Sequence, residues 1–220
     1  MISVVFALEF ESAGFRARFQ PRLCVSVWTL GVMGYRTAPA LEKLIARQRP
    51  GIVVSAGFSG SLQQEIPVGT ILLGQNVSDP GLLNSLSSEN FLVGPLATAD
   101  AILESAEQKF LFGQQTGALA ADLESSHLFS VCQAHNIAML SLRCISDAVD
   151  QSLAVPGEVL LDPETGRSDP QAIFRFLFRH PSKAADFARL VRNAKSAQNA
   201  LASALQTILP ILLRQSGGFR

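Results

Sequence analysis

Cysteine is scarce and carries no pattern: there are three in 220 residues. Cys24, Cys132 and Cys144 lie inside apolar stretches with no CxxC pair and no Cys/His ligand spacing. That argues against a disulfide framework or a zinc-type site and leaves buried free thiols, as in a reducing cytoplasm. An excess of one charge is missing too. Lys plus Arg and Asp plus Glu each number 18, so no net field draws the chain to nucleic acid. No apolar run approaches the ~18 residues that a membrane span requires. The opening MISVVFALEFE has no basic segment ahead of its apolar run and soon turns acidic, unlike a secretory signal. A soluble, cytoplasmic protein is expected. With 48% hydrophobic against 16% charged residues, disorder is excluded, and the length suits one large domain with a substantial core.

What is present is an alternation of strand and helix periods. Residues 2–8 are a β-branched apolar run feeding a helix that reaches Phe19, with Glu9 and Glu11 at its head. Residues 23–30 read as a second strand and 36–48 as a helix, with Ala38, Leu41, Leu44 and Ile45 on one face and Pro39 in its first turn. A third strand at 52–56 runs into Gly57-Phe58-Ser59-Gly60-Ser61-Leu62, read as a loop whose glycines let backbone N–H groups approach a ligand. A dinucleotide fold would continue into a long helix, yet Ile66-Pro67-Val68-Gly69 turns into another strand at 70–73, which rules that fold out. Residues 75–90 read as irregular, 91–93 as a brief strand and 100–110 as a helix. Strands are expected at 117–121 and 137–145, with an amphipathic helix between them.

Beyond Asp150 the chain is turn-rich from 156 to 169, and helices are expected at 172–180 and 182–213. The longer one carries Phe187, Leu190, Val191, Ala194, Leu201, Leu205 and Ile208 at helical spacing, a core-facing stripe. Without repeat or linker, this order predicts one α/β domain over residues 1–220. The expected architecture is a three-layer α/β/α sandwich around a central mixed sheet, with the C-terminal helices of about 170–213 packed on it.

Four carboxylates fall at the ends of expected strands: Glu11, Asp122, Glu124 and Asp147. In open α/β sheets ligands bind at the carboxyl ends of strands, where the backbone opens into loops and helix N-termini. Taken singly, each acid is equally explained as a helix start signal, since carboxylates complement the exposed N–H groups of a first turn.

In this order the motifs resemble those of the nucleoside phosphorylase and nucleosidase superfamily, and most closely the pattern of 5′-methylthioadenosine/S-adenosylhomocysteine nucleosidases. ALEFE (7–11) is similar to the family's Ala-Met-Glu-Glu-Glu. VVSAGFSGSL followed by VGTILL resembles its glycine segment and Val-Gly-Asp-Ile-Val strand. ADLESSHLFSVC is similar to its Val-Glu-Met-Glu block, and RCISDAVD to its Arg-Ala-Ile-Ser-Asp-Val-Ala-Asp block. The resemblance spans about residues 1–150. It implies a nucleoside phosphorylase-like fold, cleavage of a purine nucleoside at its N-glycosidic bond, no metal and no cofactor, and a homo-oligomer.

It also implies roles. Glu124 would accept hydrogen bonds from the ribose 2′- and 3′-hydroxyls, as an acceptor-only carboxylate can. Asp147 would protonate or hydrogen-bond N7 of the departing base. Glu11 would activate the attacking water as an oxocarbenium-like centre forms, a division of labour known from glycosidases. Leu123, Asp122, Phe58, Ser59, Gly60, Ser146 and Ile102 would complete the substrate-binding set.

This sequence departs from the pattern at several of these positions. An aliphatic Ile102 stands where the family's stacking aromatic falls, Asp122 replaces a glutamate, Phe58 replaces a small residue, and the middle loop is short. Where phosphorylases carry a phosphate-holding arginine before the glycines, this chain has apolar GIVVSAG, so hydrolysis is expected ahead of phosphorolysis, with inorganic phosphate as the alternative nucleophile. The C-terminal part resembles that of hopanoid-associated phosphorylases, which act on an adenosyl-lipid. From that resemblance and the basic, apolar AIFRFLFRH (172–180), a 5′-lipid-substituted adenosine and peripheral membrane contact are expectations. Two competing readings remain open on the sequence: a nucleoside-binding module without turnover, and a structural protein whose acids only cap helices.

Overall fold

The strand β3 (Ile52–Ser61) is the axis of the sheet. The protein is described by a computed structural model covering residues 1–19, 24–32, 34–160 and 169–216. β3 is flanked along its first half by β1 (Ile2–Phe6) and along its length by β8 (Ala138–Asp147), both parallel to it. β2 (Val25–Thr29) pairs with β1 at one edge. On the other side β4 (Ile71–Gly74) lies antiparallel to β8 and carries β5 (Leu92–Gly94), giving the order β2-β1-β3-β8-β4-β5. Where β3 runs on past β1, the place is taken by β7 (Ala120–Asp122), antiparallel to β3 and paired in turn with β6 (Leu96–Thr98). The sheet is mixed, as expected.

Strands covered on both faces read as near-continuous apolar runs, which explains ISVVF and AMLSLRCI. Successive residues then serve opposite layers. Val4, Val54 and Leu142 face α1 (Glu9–Arg16), α3 (Pro80–Ser85) and α8 (Ala184–Ser216), packing against Phe15, Leu82, Leu201, Leu205 and Ile208. Val5, Val53 and Met139 face α2 (Gly34–Gln48) and α5 (Ser125–Ala134), against Leu41, Leu44, Leu128 and Cys132. Each fully buried leucine in these layers contributes about 1.5–3 kcal/mol. The result is the three-layer sandwich.

Several elements differ from the sequence reading. The glycine-bearing stretch 57–61 is not a loop but the second half of β3, with a bulge between Ser59 and Gly60 where it pairs with β8. Residues 75–90 contain a 3-10 turn at Gln75–Val77 and helix α3, started by Asp79, whose carboxylate accepts from the N–H groups of Gly81 and Leu82. Strand β6, absent from the sequence reading, is only three residues long and is defined by its pairing with β7. Helix α4 spans Ala106–Thr116 rather than 100–110, since Ser105 and Gln108 form a capping box that fixes its start. Helix α2 begins at Gly34, which puts Pro39 inside the helix rather than in its first turn.

At the C-terminus, α6 (Gly157–Leu160) and α7 (Pro170–Arg179) precede α8. The turn-rich segment expected at 156–169 lies partly outside the described residues, at 161–168. The expected stripe of α8 divides: Leu201, Leu205 and Ile208 are buried in the core, whereas Phe187 and Leu190 are half-buried and Val191 is exposed. Of the three thiols, Cys24 is exposed, contrary to expectation, because the turn that holds it precedes β2 at the sheet edge. Cys132 and Cys144 are buried, and loss of hydration pushes both thiols up to about 12.

Candidate active site

A single cleft opens at the carboxyl ends of β3, β7 and β8, and all ten residues singled out from the sequence line it. They are Glu11, Phe58, Ser59, Gly60, Ile102, Asp122, Leu123, Glu124, Ser146 and Asp147. Its volume of about 190 Å³ far exceeds the ~15 Å³ that one water needs.

Glu11 sits in the first turn of α1, yet its carboxylate reaches back over the sheet. Oε1 accepts from the Phe58 N–H at 2.8 Å and Oε2 from the Leu8 N–H at 2.9 Å. Gly57 makes this approach possible, because a Cβ there would meet Oε1 at 3.0 Å. Burial raises the Glu11 carboxyl above its ordinary value of 4.5, opposed by the Phe58 and Leu8 hydrogen bonds and by the charge of Arg143. Beside Glu11 lies a second cavity of about 10 Å³, also lined by Thr37, Ser55, Glu124 and Arg143. It has the size of one water molecule.

Asp122 and Glu124 divide two tasks between them. The Asp122 carboxylate accepts from Arg143 Nε at 2.7 Å, Ser125 Oγ at 2.5 Å, Thr98 Oγ1 at 3.0 Å and the Ser125 N–H at 3.3 Å. An ionised carboxylate offers about four lone-pair sites, and these contacts fill them. These contacts make Asp122 part of what holds the cleft wall together. Glu124 occupies the N-cap position of α5 without a side-chain capping bond. The first-turn N–H of Ser125 donates to Asp122 instead.

Arg143 went unassigned in the sequence. Its guanidinium also donates to Ser55 O at 2.8 Å, Leu142 O at 3.0 Å, Ser55 Oγ at 3.0 Å and Ser125 Oγ at 2.8 Å. With Asp122 these engage all five donors, as a buried arginine requires. A visible signal existed: a cation in the middle of a buried strand needs an anion within reach.

Asp147 ends β8. Its Oδ1 accepts from Ser146 Oγ at 2.7 Å and its Oδ2 from Lys109 Nζ. Lys109, on α4, is the second residue that sequence reasoning missed. The sequence carried no signal for it, because in the helix expected at 100–110 Lys109 falls in the last turn, where a cation suits the dipole, and only the observed start at Ala106 moves it to the other end. Ser59 Oγ is buried without a hydrogen-bond partner among the described residues and lines the cleft, where a ligand hydroxyl can engage it. Ile102 lies in the extended segment before α4, and Phe58 supplies the aromatic ring of the cleft wall, with Phe10 edge-on to it at 6.2 Å between ring centroids. The described residues hold no cluster able to bind a metal ion.

A profile of the phosphorylase superfamily matches residues 75–194, more than half of the chain. The chain belongs to the phosphorylase superfamily. Within that superfamily it is similar to the 5′-methylthioadenosine/S-adenosylhomocysteine nucleosidase of Oceanobacillus iheyensis, at 23% identity over 179 residues, covering 67% of this chain and 78% of that protein. Among solved structures, the Helicobacter pylori nucleosidase of the same name, complexed with a substituted pyrrolidin-3-ol, superposes with a TM-score of 0.67 at 16% identity, covering 95% of this chain and 97% of that one. Futalosine hydrolase from Helicobacter pylori gives 0.66 at 14% identity with the same coverage. A putative nucleosidase from Borrelia burgdorferi bound to adenine gives 0.69 at 13%, covering 96% and 100%. At these identities the structural likenesses establish a nucleoside phosphorylase-like superfamily fold.

Proposed function

We propose that the protein hydrolyses the N-glycosidic bond of an adenine nucleoside. The observation that carries this reading is the convergence of Glu11, Glu124 and Asp147, from three separate elements, on one cleft. Glu124 holds the ribose diol. Asp147 protonates the base at N7, so that the C1′–N9 bonding pair leaves on a neutral base. Glu11 takes a proton from a water in the small cavity it shares with Arg143 and directs it at the oxocarbenium-like C1′.

Water is favoured over phosphate as the nucleophile. Among the described residues lining the cleft, Lys109 is the one cation, and its donors are engaged by Asp147, Ala148 and Gln151. A nucleosidase name among the curated relatives supports the same choice. The test is base release from a panel of 5′-substituted adenosines with and without phosphate. Adenine and free sugar are expected in its absence, and strict phosphate dependence with a sugar 1-phosphate product would overturn hydrolysis.

The finer reading is a substrate whose 5′ carbon bears a long apolar chain. Its support is α7, which buries no residue and exposes Phe174 at 71% and Phe178 at 80% beside Arg175 and Arg179. Cations flanking exposed rings suit an anionic lipid surface. α7 packs on α6, whose Gly157 abuts Ile102 of the cleft wall. In detergent micelles the specificity constant for a 5′-alkyl-chain adenosine should exceed that for methylthioadenosine; the reverse order removes this reading. We further assign a cytoplasmic protein and a homo-oligomer; exposed Phe10, Phe110 and Leu111 support the oligomer. A monomeric mass by light scattering would refute the oligomer.

A further inference from the structure

Lys109 is 2% exposed, and its ammonium donates to Asp147 Oδ2, to Ala148 O at 3.1 Å and to Gln151 O at 2.7 Å. All three N–H donors are used. Taking an ammonium out of water is costly, and packed apolar residues in place of a whole buried ion pair are commonly as stable or more so. Three features then converge on one carboxylate. Ser146 Oγ holds Oδ1, Lys109 holds Oδ2, and Gly60 lies so close beneath that a Cβ would approach Oδ2 to 2.9 Å. The same ammonium binds two carbonyls of the turn that leaves β8, so the carboxylate and its supporting backbone are fixed as one unit. Capping by Ser105 and Gln108 anchors the helix turn from which Lys109 projects.

We propose that Lys109 is a positioning residue that acts through Asp147, orienting its carboxyl group toward the base and stabilising the carboxylate that remains once the proton has passed to N7. This rests on the nucleosidase reading above. The step balances: the Asp147 O–H bond breaks, an N7–H bond forms, and the C1′–N9 pair is retained by the neutral base. Lys109 keeps its three protons throughout and supplies only charge and direction.

The assignment makes a demand that a scaffold lysine would not. If Lys109 works through Asp147, it matters only for bases that need a proton. A 7-methylated purine nucleoside already carries the positive charge at N7 and leaves without one.

The experiment measures base release from adenosine-type and 7-methylpurine nucleosides by the wild type, Lys109→Met, Asp147→Asn and the double variant, with melting temperatures to confirm folding. Lys109→Met should lower kcat on the adenine substrate by about 10²-fold, the size of effect that misplacing a reacting group produces, with KM changed by much less. On the 7-methylated substrate it should lose little, and in the Asp147→Asn background it should cost nothing further, as for two residues that act as one unit. Equal losses on both substrates, or losses that multiply in the double variant, would overturn the assignment and make Lys109 a structural residue. Should Lys109→Met fail to fold, Lys109→Arg keeps the charge, alters its reach, and is held to the same substrate comparison. Failure of the wild type to release base from either substrate would instead refute the nucleosidase reading, and this proposal with it.

Discussion

Gly60 and Asp147 face each other as a pair in the β3–β8 ladder, at the bulge where the register shifts. The glycine is what lets the carboxylate lie against the strand: a methyl group at position 60 would come within 2.9 Å of Oδ2. Oδ2 belongs to a short side chain held by Lys109 and Ser146, so it cannot easily give way. The expected result of Gly60→Ala is a fall in kcat of about 10²-fold, as for a misplaced catalytic group, with a melting temperature near that of the wild type. Unchanged turnover would show that Asp147 tolerates displacement and is not aligned by the glycine.

Asp122→Asn is expected to act on stability first. It leaves Arg143 as an uncompensated charge in the core, at a cost of about 3–5 kcal/mol, because the pair is buried on both sides. Urea unfolding of the purified variant measures this. A loss under about 1 kcal/mol would mean that the remaining acceptors around Arg143 suffice on their own.

Glu124→Gln should weaken binding and turnover together, since hydrogen bonds to a charged acceptor are worth about 1.5–3 kcal/mol. A 2′,3′-dideoxy substrate lacks the groups that Glu124 is assigned to hold, and it should show little further loss with the variant. Independent, additive losses would place the diol elsewhere.

Glu11 links activity and stability with opposite signs. Burial raises its carboxyl above 4.5. Its contribution to stability is therefore fully present below that value and is lost as pH rises through the folded-state value. As a base it works only when ionised, so kcat/KM should rise across the same window while the melting temperature falls. Glu11→Gln should abolish the rise in activity and flatten the Glu11 part of the stability slope. Parallel movement of activity and stability in the wild type would show that another group governs the limb.

Much of this was readable from residue order. Near-continuous apolar runs alternating with 3.6-period helices required an α/β sandwich, because such strands must be covered on both faces. The positions of Glu11, Glu124 and Asp147 after strands placed them at one end of the sheet. Even one polar exception, Arg143 within a buried strand, is visible as a violation of local preference.

What local preference could not supply is which groups meet. Asp122 and Glu124 stand two residues apart and look alike in sequence. Both line the cleft, and only the arrival of Arg143 from β8 ties Asp122 into its wall. Gly57-Phe58-Ser59-Gly60 reads as a loop because glycine is a poor strand former. It is a strand because β7 and β8 pair with its backbone from both sides, and because its glycines admit Glu11 and Asp147. Lys109 and Asp147 are 38 residues apart, and nothing in either neighbourhood names the other. Periodicity is a property of adjacent residues and survives in the sequence. The pairing of charges across a sheet depends on three-dimensional distance, and only the folded chain decides it.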